Sequence, residues 1–513
     1  MIKTDVIKPL AQLLEERAQQ YGSKVAYWDS HKEASYADLN RQSKNVAKKL
    51  RSKGFASGDK VAIYLPNSVN WVLACFGAVR SGLVAVPISH DAAPGEVSYR
   101  ITDSGAKMII TSKDRLSVIE GIRSEIDAGI EIVIVDDEEI AACENFSSYL
   151  ADSTKLGDEQ VCTSIDEVAF IVYTSGTTGK AKGVQLTVRS MLWVVAACWI
   201  PIAGMSDKDV VLSPLPLFHS YALNFSVLSI VAAGASEFIV ERYSSTQVLT
   251  LLQTGKFTVL PGVPTMFHYI LESAKADAAI KLNGMRLCIS AGAILPADLN
   301  KGFEEFFDIK LLDGYGITET STMVTMNSLT GGRTLGSCGL PVIGVAVRIV
   351  DPVTGKDLDA GQEGELIVRG PNVMVGYHNK PAETAAALKD GWYRTGDLAK
   401  ADLNGYLTIT GRLKELIIRG GQNIAPGEVE EAVLRHPAVL DCAAVGVEHK
   451  HLGEIPVVFI VLREGQSVES EVLIEFTKTQ LSSYKVPAAI HVVKEIPRTG
   501  SGKVMRFKLK ETI

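Results

Sequence analysis

Apolar and polar positions along the first third of the chain fall into blocks that alternate between strand and helix character. Lys60–Leu65 (KVAIYL) and Leu83–Ile88 (LVAVPI) are short apolar runs, and Ser68–Arg80 between them has the period of an amphipathic helix stopped near Gly82. Pro94–Asp103 predicts a helix, while Lys107–Thr111 and Glu131–Val135 predict strands. After an acidic, polar connection over 138–165 the alternation resumes. Strands are expected at Val168–Tyr173, Val210–Ser213, Thr258–Leu260, Arg286–Ser290 and Lys310–Leu312, and Val184–Ile200 reads as a long apolar helix. Strands apolar on both faces and separated by helices are the grammar of a parallel sheet covered on both sides. Two such halves packed together place a cleft at the carboxyl ends of their strands.

After about residue 335 the pattern changes. Val345–Val350, Gly364–Arg369 and Tyr406–Thr410 are short strands between turns rich in Gly, Pro, Asp and Asn, which predicts a smaller β-rich subdomain. From Gly411 onward a compact unit of about 100 residues follows. It has charged helices (Gly427–Leu434, Glu469–Leu481) and strands (Ala443–Val447, Val457–Leu462, Ile490–Val493). The expected fold is therefore α/β: a large N-terminal domain over residues 1–411, made of two parallel α/β halves and the β subdomain, and a small mobile α+β C-terminal domain over 412–513. The hinge is expected at Arg412-Leu413-Lys414-Glu415.

Composition narrows the function. The chain has 513 residues, 46% hydrophobic and 22% charged, as in a soluble globular protein of several structural units. A net charge of −7 argues against general nucleic-acid binding. Seven dispersed cysteines without a CxxC pair indicate neither zinc nor a disulfide framework, and fit reduced thiols in the cytoplasm. The N-terminus lacks a signal-peptide core, and the longest apolar stretch, Met191–Met205, is too short to span a bilayer.

Chemistry concentrates in four strings. Tyr173–Gly183 (YTSGTTGKAKG) is a Gly- and hydroxyl-rich loop following a buried strand, with Lys180 and Lys182 adding charge. Such a loop directs backbone N–H groups and hydroxyls at phosphates. Gly176 and Gly179 are too close for a Walker loop, and Ala181 follows Lys180, which argues against an ordinary P-loop NTPase. A plain glycine-rich connection is the competing reading. Asp313–Thr320 (DGYGITET) offers a close backbone path at Gly314 and Gly316, a stacking face at Tyr315, a hydroxyl at Thr318 and a hard oxygen ligand at Glu319. Trp392–Leu398 (WYRTGDL) presents Asp397 at a strand-turn position, fifteen residues before Arg412. Pro497–Lys503 (PRTGSGK) sets Lys503 after a flexible loop. Each also has a plain reading: DGYGITET as a turn with a capping Thr and a solvated Glu, Asp397 as a structural residue of a Gly turn, and Lys503 as a solvated lysine near the C-terminus.

TSGTTGKAKGV closely resembles the signature loop of the adenylate-forming superfamily of acyl-CoA synthetases, coumarate ligases, firefly-type luciferases and amino-acid adenylation domains. DGYGITET, WYRTGDL, GGQNIAP (Gly420–Pro426), LSSYKVP (Leu481–Pro487) and PRTGSGKVMR follow in family order, so the resemblance runs from about residue 35 to 508. It implies that Thr174, Ser175, Gly176, Thr177, Thr178 and Lys180 contact ATP, with Gly292, Ala293, Asp313, Gly314, Tyr315 and Gly316 around the nucleotide. It gives Asp397 and Arg412 the ribose, and Thr318, Glu319, His219 and Lys503 catalytic positions, with Mg²⁺ on Glu319. Lys414 falls at the hinge and Gly421 along the thiol tunnel.

The implied reaction is ATP-dependent conversion of a carboxylic acid to an acyl adenylate with release of pyrophosphate, then transfer to the thiol of coenzyme A. The carboxylate is itself the nucleophile, so no Ser-His-Asp or Cys-His arrangement is required. Leu215–Leu223 (LPLFHSYAL) lacks the aspartate with which amino-acid-activating relatives pair the substrate ammonium, and the apolar run after His219 suits an apolar fatty or aryl acid. A free-standing ligase loading a carrier protein is the alternative. A luciferase-like oxygenase and a silent nucleotide-binding homologue are the readings from other classes. A monomer or homodimer is expected.

Overall fold

The computed structural model describes all residues except 137–139, 141–142, 152–161, 175–180, 278 and 500–502. The chain divides into two compact units. The first comprises residues 1–335, 339–346 and 369–393, the second 336–338, 347–368 and 394–513.

The first unit holds two large sheets. In one, the strands run in the order Gly376–Tyr377, Lys182–Thr187, Val168–Thr174, Val84–Pro87, Lys60–Tyr64, Ala106–Thr111, Glu131–Ile134 and Glu144–Asn145. Lys60–Tyr64 is central and parallel to both neighbours, with Val61 opposite Ala85 on one side and Met108 on the other. The helix Val69–Arg80 starts where the Ser68 side chain accepts from the Trp71 N–H. Amphipathic in the sequence reading, it is in fact buried at every position but Asn70. Gly77 lets it close on the helix Tyr36–Ser52, since a Cβ there would lie 2.2 Å from Val46 Cγ1.

The other sheet runs Leu340–Pro341, Thr325–Met326, Lys310–Tyr315, Leu287–Ser290, Val259–Gly262, Val210–Ser213, Ser236–Ile239, Val25–Trp28 and Glu33–Ser35. It is parallel from Lys310–Tyr315 to Val25–Trp28 and antiparallel at both edges. Phe267, Phe303, Leu260 and Leu311 help fill the core on one face. The expected pair of α/β halves is present.

One sequence expectation needs correction. Val184–Ile200 is not a single helix. Lys182–Thr187 is a strand antiparallel to Val168–Thr174, with Val172 opposite Val184. Gly183, Val184, Leu186 and Thr187 are buried and only Lys182 and Gln185 are partly exposed, so the strand is covered on both faces. The helix begins only at Val188, where Thr187 Oγ1 accepts from the Ser190 N–H and starts the turn. The strands on either side of the phosphate-type loop thus form a hairpin stem, and the element that follows the loop is a strand, not a helix.

In the second unit, residues 347–350, 364–368, 394–401 and 407–412 form one sheet. A second sheet orders Gln422–Ile424, Ile417–Arg419, Gly453–Leu462 and Val439–His449, with Ala489–Val492 also paired to Gly453–Leu462. The helices Pro426–Leu434 and Ser470–Lys478 cover it. Arg506, beside the Glu415 and Glu430 carboxylates, ties the last helix (Arg506–Lys510) to this core. Among the described residues no helix is long and apolar enough to cross a membrane, and the seven cysteines form no disulfide.

Candidate active site

Ser175, Gly176, Thr177, Thr178 and Lys180 lie outside the described residues, but the hairpin stem that carries them is well defined. Thr174 pairs with Lys182 across it, and its hydroxyl donates to the Lys182 carbonyl at 3.5 Å. The Lys182 ammonium sits 4.6 Å over the Tyr377 ring, a cation–π contact. The Tyr377 hydroxyl in turn donates to Glu319 Oε1 at 3.0 Å. The Met374 N–H donates to the Glu319 carbonyl and the Val375 N–H to that of Gln185, so residues 374–377 bridge the hairpin stem and the Glu319 turn.

The DGYGITET string begins inside the strand Lys310–Tyr315 and ends in a 3₁₀ turn, Thr318–Thr320. Asp313 is buried, and burial holds its carboxyl well above the usual carboxylate range. Only glycine fits at 316: a Cβ would lie 1.2 Å from the Thr322 carbonyl oxygen. At 314 it would meet Met323 Cε at 2.3 Å. Ser321 and Thr322 hold φ of 53° and 103°, a strained path for residues with a Cβ. Buried hydrogen bonds hold that path. Thr322 Oγ1 donates to the Ser220 carbonyl at 2.8 Å, and Asn372 Nδ2 donates to the Thr320 and Met323 carbonyls. Tyr315 is half-buried beside this turn.

The His219 segment joins the same place. The Ser220 and Thr318 hydroxyls share a hydrogen bond of 3.1 Å. His219 caps the turn, its Nδ1 accepting from the Tyr221 N–H at 3.2 Å. The buried Tyr221 hydroxyl donates to the Ile289 carbonyl, on the strand beside Asp313. Gly292 follows that strand with φ 88°, and Ala293 is exposed next to it. Thr174, His219, Gly292, Ala293 and the residues from Asp313 to Glu319 therefore all belong to the first unit.

The second unit carries the remaining candidates. Asp397 and Arg412 are directly opposed on neighbouring strands, with Arg412 Nε donating to Asp397 Oδ1 at 2.5 Å. Asp397 is buried, whereas the Arg412 side chain is 37% exposed, so this pair has one face toward solvent. Lys414 lies in the 3₁₀ turn Leu413–Glu415 that follows. Gly420 and Gly421, with φ 58° and 81°, make the two-residue turn between the strands Ile417–Arg419 and Gln422–Ile424. No atom outside the turn lies within 4 Å of a Cβ built at Gly421. Lys503 closes a short loop, its N–H donating to Thr499 Oγ1 at 3.1 Å while the Thr499 N–H donates to its carbonyl at 2.8 Å.

Sequence reasoning passed over Tyr377, Ser220 and Asn372, which hold this site from distant positions. It also passed over a charged group at the carboxyl end of the central strand of the eight-stranded sheet. There Tyr64 ends the strand, and the loops from its two neighbours bring in His90 and Arg115. The His90 ring has Arg115 at 3.0 Å, Asp114 at 3.3 Å, Arg242 at 3.4 Å and Asp91 at 3.7 Å. Burial, then the Arg115 charge, lowers its pKa below the ordinary value.

Among the described residues no three His, Cys, Asp or Glu side chains surround one point. A divalent cation here would be held by Glu319 together with the phosphates of a nucleotide, as suits Mg²⁺. The half-buried Glu319 carboxylate, oriented by Tyr377, fits that arrangement.

Comparison with known proteins gives a consistent picture. Residues 14–378 match the AMP-binding enzyme family and residues 428–503 the AMP-binding enzyme C-terminal domain. A long-chain-fatty-acid–CoA ligase of Bacillus subtilis (strain 168) is 30% identical, over 98% of this chain and 94% of its own. A sulfoacetate–CoA ligase of Cupriavidus necator is 34% identical over 98% of both chains. The anthranilate CoA ligase AuaEII, solved with anthranoyl-AMP, superposes with a TM-score of 0.90 at 26% identity, covering 98% of this chain and 97% of its own. With both its domains matched along nearly the whole length, the chain belongs to the AMP-binding enzyme family of adenylate-forming ligases.

Proposed function

We propose that the protein joins an apolar carboxylic acid to coenzyme A, with ATP and Mg²⁺, through an acyl adenylate. The acid's carboxylate oxygen attacks the α-phosphorus of ATP, and the bond to pyrophosphate breaks. The coenzyme A sulfur then attacks the acyl carbon, AMP leaves, and the thiol proton passes to solvent. The observation that carries the reading is the convergence of three distant segments on one turn: the hairpin stem through Lys182 and Tyr377, the His219–Ser220 turn, and Thr318–Glu319.

In this reading the backbone at Gly314 and Gly316 lies close against the nucleotide, and Tyr315 stacks on its base. Thr318 donates to a phosphoryl oxygen. Glu319 would hold Mg²⁺, whose charge would offset that of the phosphates. Asp397 and Arg412 take the ribose hydroxyls, and Lys503 supplies a positive charge to the oxygens that gain charge in the first step. Aligning the reactants and stabilising that charge is most of the task for such a phosphoryl chemistry. We place the enzyme in the cytoplasm as a monomer or homodimer.

The test is to incubate the protein with ATP, Mg²⁺ and a panel of acids, offering coenzyme A or a phosphopantetheine-bearing carrier protein. AMP, pyrophosphate and an acyl-CoA are expected. Acylation of the carrier alone would move the acceptor, and ADP with an acyl phosphate would overturn the reading.

A further inference from the structure

Lys503 is carried by two short arms, residues 497–499 and 503–505, that pair with each other. The Met505 N–H donates to the Pro497 carbonyl at 2.8 Å, and the Thr499 N–H to the Lys503 carbonyl at 2.8 Å. Between them Arg498 lies opposite Val504 in an antiparallel bridge. The arms dock on one face of the strands Val439–His449 and Gly453–Leu462. Ile496 is buried there with Ala443, Val445, Val457 and Phe459, and Val504 packs against them. Apolar packing of this kind holds the arms down without fixing their direction.

Direction comes from an ion pair. Arg498 Nη2 donates to Asp441 Oδ1 at 2.8 Å and to Oδ2 at 2.9 Å. Both side chains are only 23% exposed, so water screens the pair less than at an open surface. A β-bulge presents Asp441 to the arms. The pairing with Gly453–Leu462 shifts between Val439, opposite Leu462, and Asp441, opposite Val461. With a strict period of two, Val439 would share a face with Ala443 and Val445. It is instead buried on the other face, with Cys442 and Ala444. The extra residue lets Val439 enter that core while Asp441, two positions on, reaches the arms on the opposite side. The Cys442 N–H donates to Asp441 Oδ1 at 2.9 Å and steadies the carboxylate. Beyond Lys503, Arg506 is anchored by Glu415 and Glu430. Lys503 thus lies five residues after one ion-paired arginine and three before another.

We propose that Asp441 is a positioning residue of the first half-reaction: through Arg498 it fixes the backbone from which Lys503 reaches the oxygens that gain charge as the acyl adenylate forms. The proposal rests on the adenylation reading above. A charge serves a transition state best when it needs no reorganisation, so loosening the arms slows adenylation although the lysine is still present. Because Asp441 acts through Lys503, it has nothing to contribute once that lysine is gone. It has no part in thiol attack on a finished adenylate.

The experiment is a double-mutant cycle on Asp441→Asn, Lys503→Ala and the double variant, with thermal melting as the check on folding. Acid-dependent exchange of pyrophosphate into ATP is measured with hexanoate, benzoate or dodecanoate, whichever the wild type uses best. Thioester formation is measured from supplied acyl adenylate. Asparagine removes the charge and keeps an acceptor for the Cys442 N–H. Asp441→Asn is expected to lower kcat for exchange about tenfold, with little change in KM for ATP, and to leave thioester formation nearly normal. In the Lys503→Ala background the same substitution should change exchange less than about twofold. Arg498→Gln should reproduce the pattern from the other side of the pair, and Arg498→Lys should recover part of the loss. Wild-type exchange in folded Asp441→Asn would overturn the proposal. So would equal losses in both half-reactions, or a full further loss in the Lys503→Ala background, either of which marks the pair as merely structural. If Asp441→Asn does not fold, Arg498→Gln is judged by the same criteria, and failure of both to fold would also mark the pair as structural. Wild-type protein that shows no exchange with any acid would instead remove the adenylation reading, and the proposal with it.

Discussion

At Gly316 one added carbon would collide with the Thr322 carbonyl, a backbone obstacle that no side-chain movement relieves. Gly316→Ala should therefore cost about 3 kcal/mol or more, read from denaturant unfolding, with ATP binding lost alongside. A cost below about 1 kcal/mol would show that the 321–322 turn shifts freely. Glu319 poses the complementary question, since its turn is fixed by backbone contacts while its carboxylate is positioned by Tyr377. Glu319→Ala should raise the Mg²⁺ concentration needed for adenylation and be partly rescued by more Mg²⁺. Tyr377→Phe, which removes only the orienting hydroxyl, should shift the Mg²⁺ dependence in the same direction by less. Turnover of Glu319→Ala unchanged at limiting Mg²⁺ would exclude the carboxylate as the ligand.

At the scale of elements, the strand ends decide where charge collects. His90 is buried among Arg115, Arg242, Asp91 and Asp114, with Tyr64 below it, and its folded pKa lies under the ordinary 6.5. The unfolded chain thus binds a proton there that the folded one resists. The stability from neutral His90 is complete above about pH 6.5 and is lost as pH falls below it. His90→Gln should flatten the decline in melting temperature between about pH 7 and pH 5. A decline as steep as the wild type's would place the acid sensitivity elsewhere. Several of these elements were legible in the sequence, because Lys60–Leu65 or Gly364–Arg369 is an apolar block bounded by turn residues. The hairpin stem at Lys182–Thr187 was not, because it is short, is buried on both faces and runs straight into an apolar helix at Val188. The π-helices Val195–Trp199 and Leu223–Ser229 were hidden for another reason, since a fully buried α- or π-helical turn has the same composition. Contacts such as Ser220–Thr318 and Tyr377–Glu319 span 98 and 58 residues of sequence and follow from sheet order, not local pattern.

At the scale of the whole molecule, Lys503, Gly421, Asp397 and Arg412 lie in a different compact unit from Thr318 and Glu319. A two-step reaction with a hinge at Lys414 predicts that these residues divide their labour. Lys503→Ala should slow acyl-adenylate formation by roughly a hundredfold or more, the scale for loss of a preorganised charge, and leave thioester formation from supplied acyl adenylate nearly normal. Gly421→Leu should do the reverse. Because Gly421 also needs φ of 81° for its hairpin, Gly420→Leu in the same turn is the control for backbone strain alone. Equal losses in both half-reactions for Lys503→Ala would refute the division.

The most direct test of the adenylate is isotope exchange between pyrophosphate and ATP, measured without coenzyme A. An enzyme that forms an acyl adenylate reversibly returns labelled pyrophosphate to ATP, and does so only when its acid is present. Exchange that requires both Mg²⁺ and a carboxylic acid, and that is suppressed by Lys503→Ala, is the predicted result. Exchange that proceeds without acid, or acid-dependent conversion of ATP to ADP with no exchange, would contradict it.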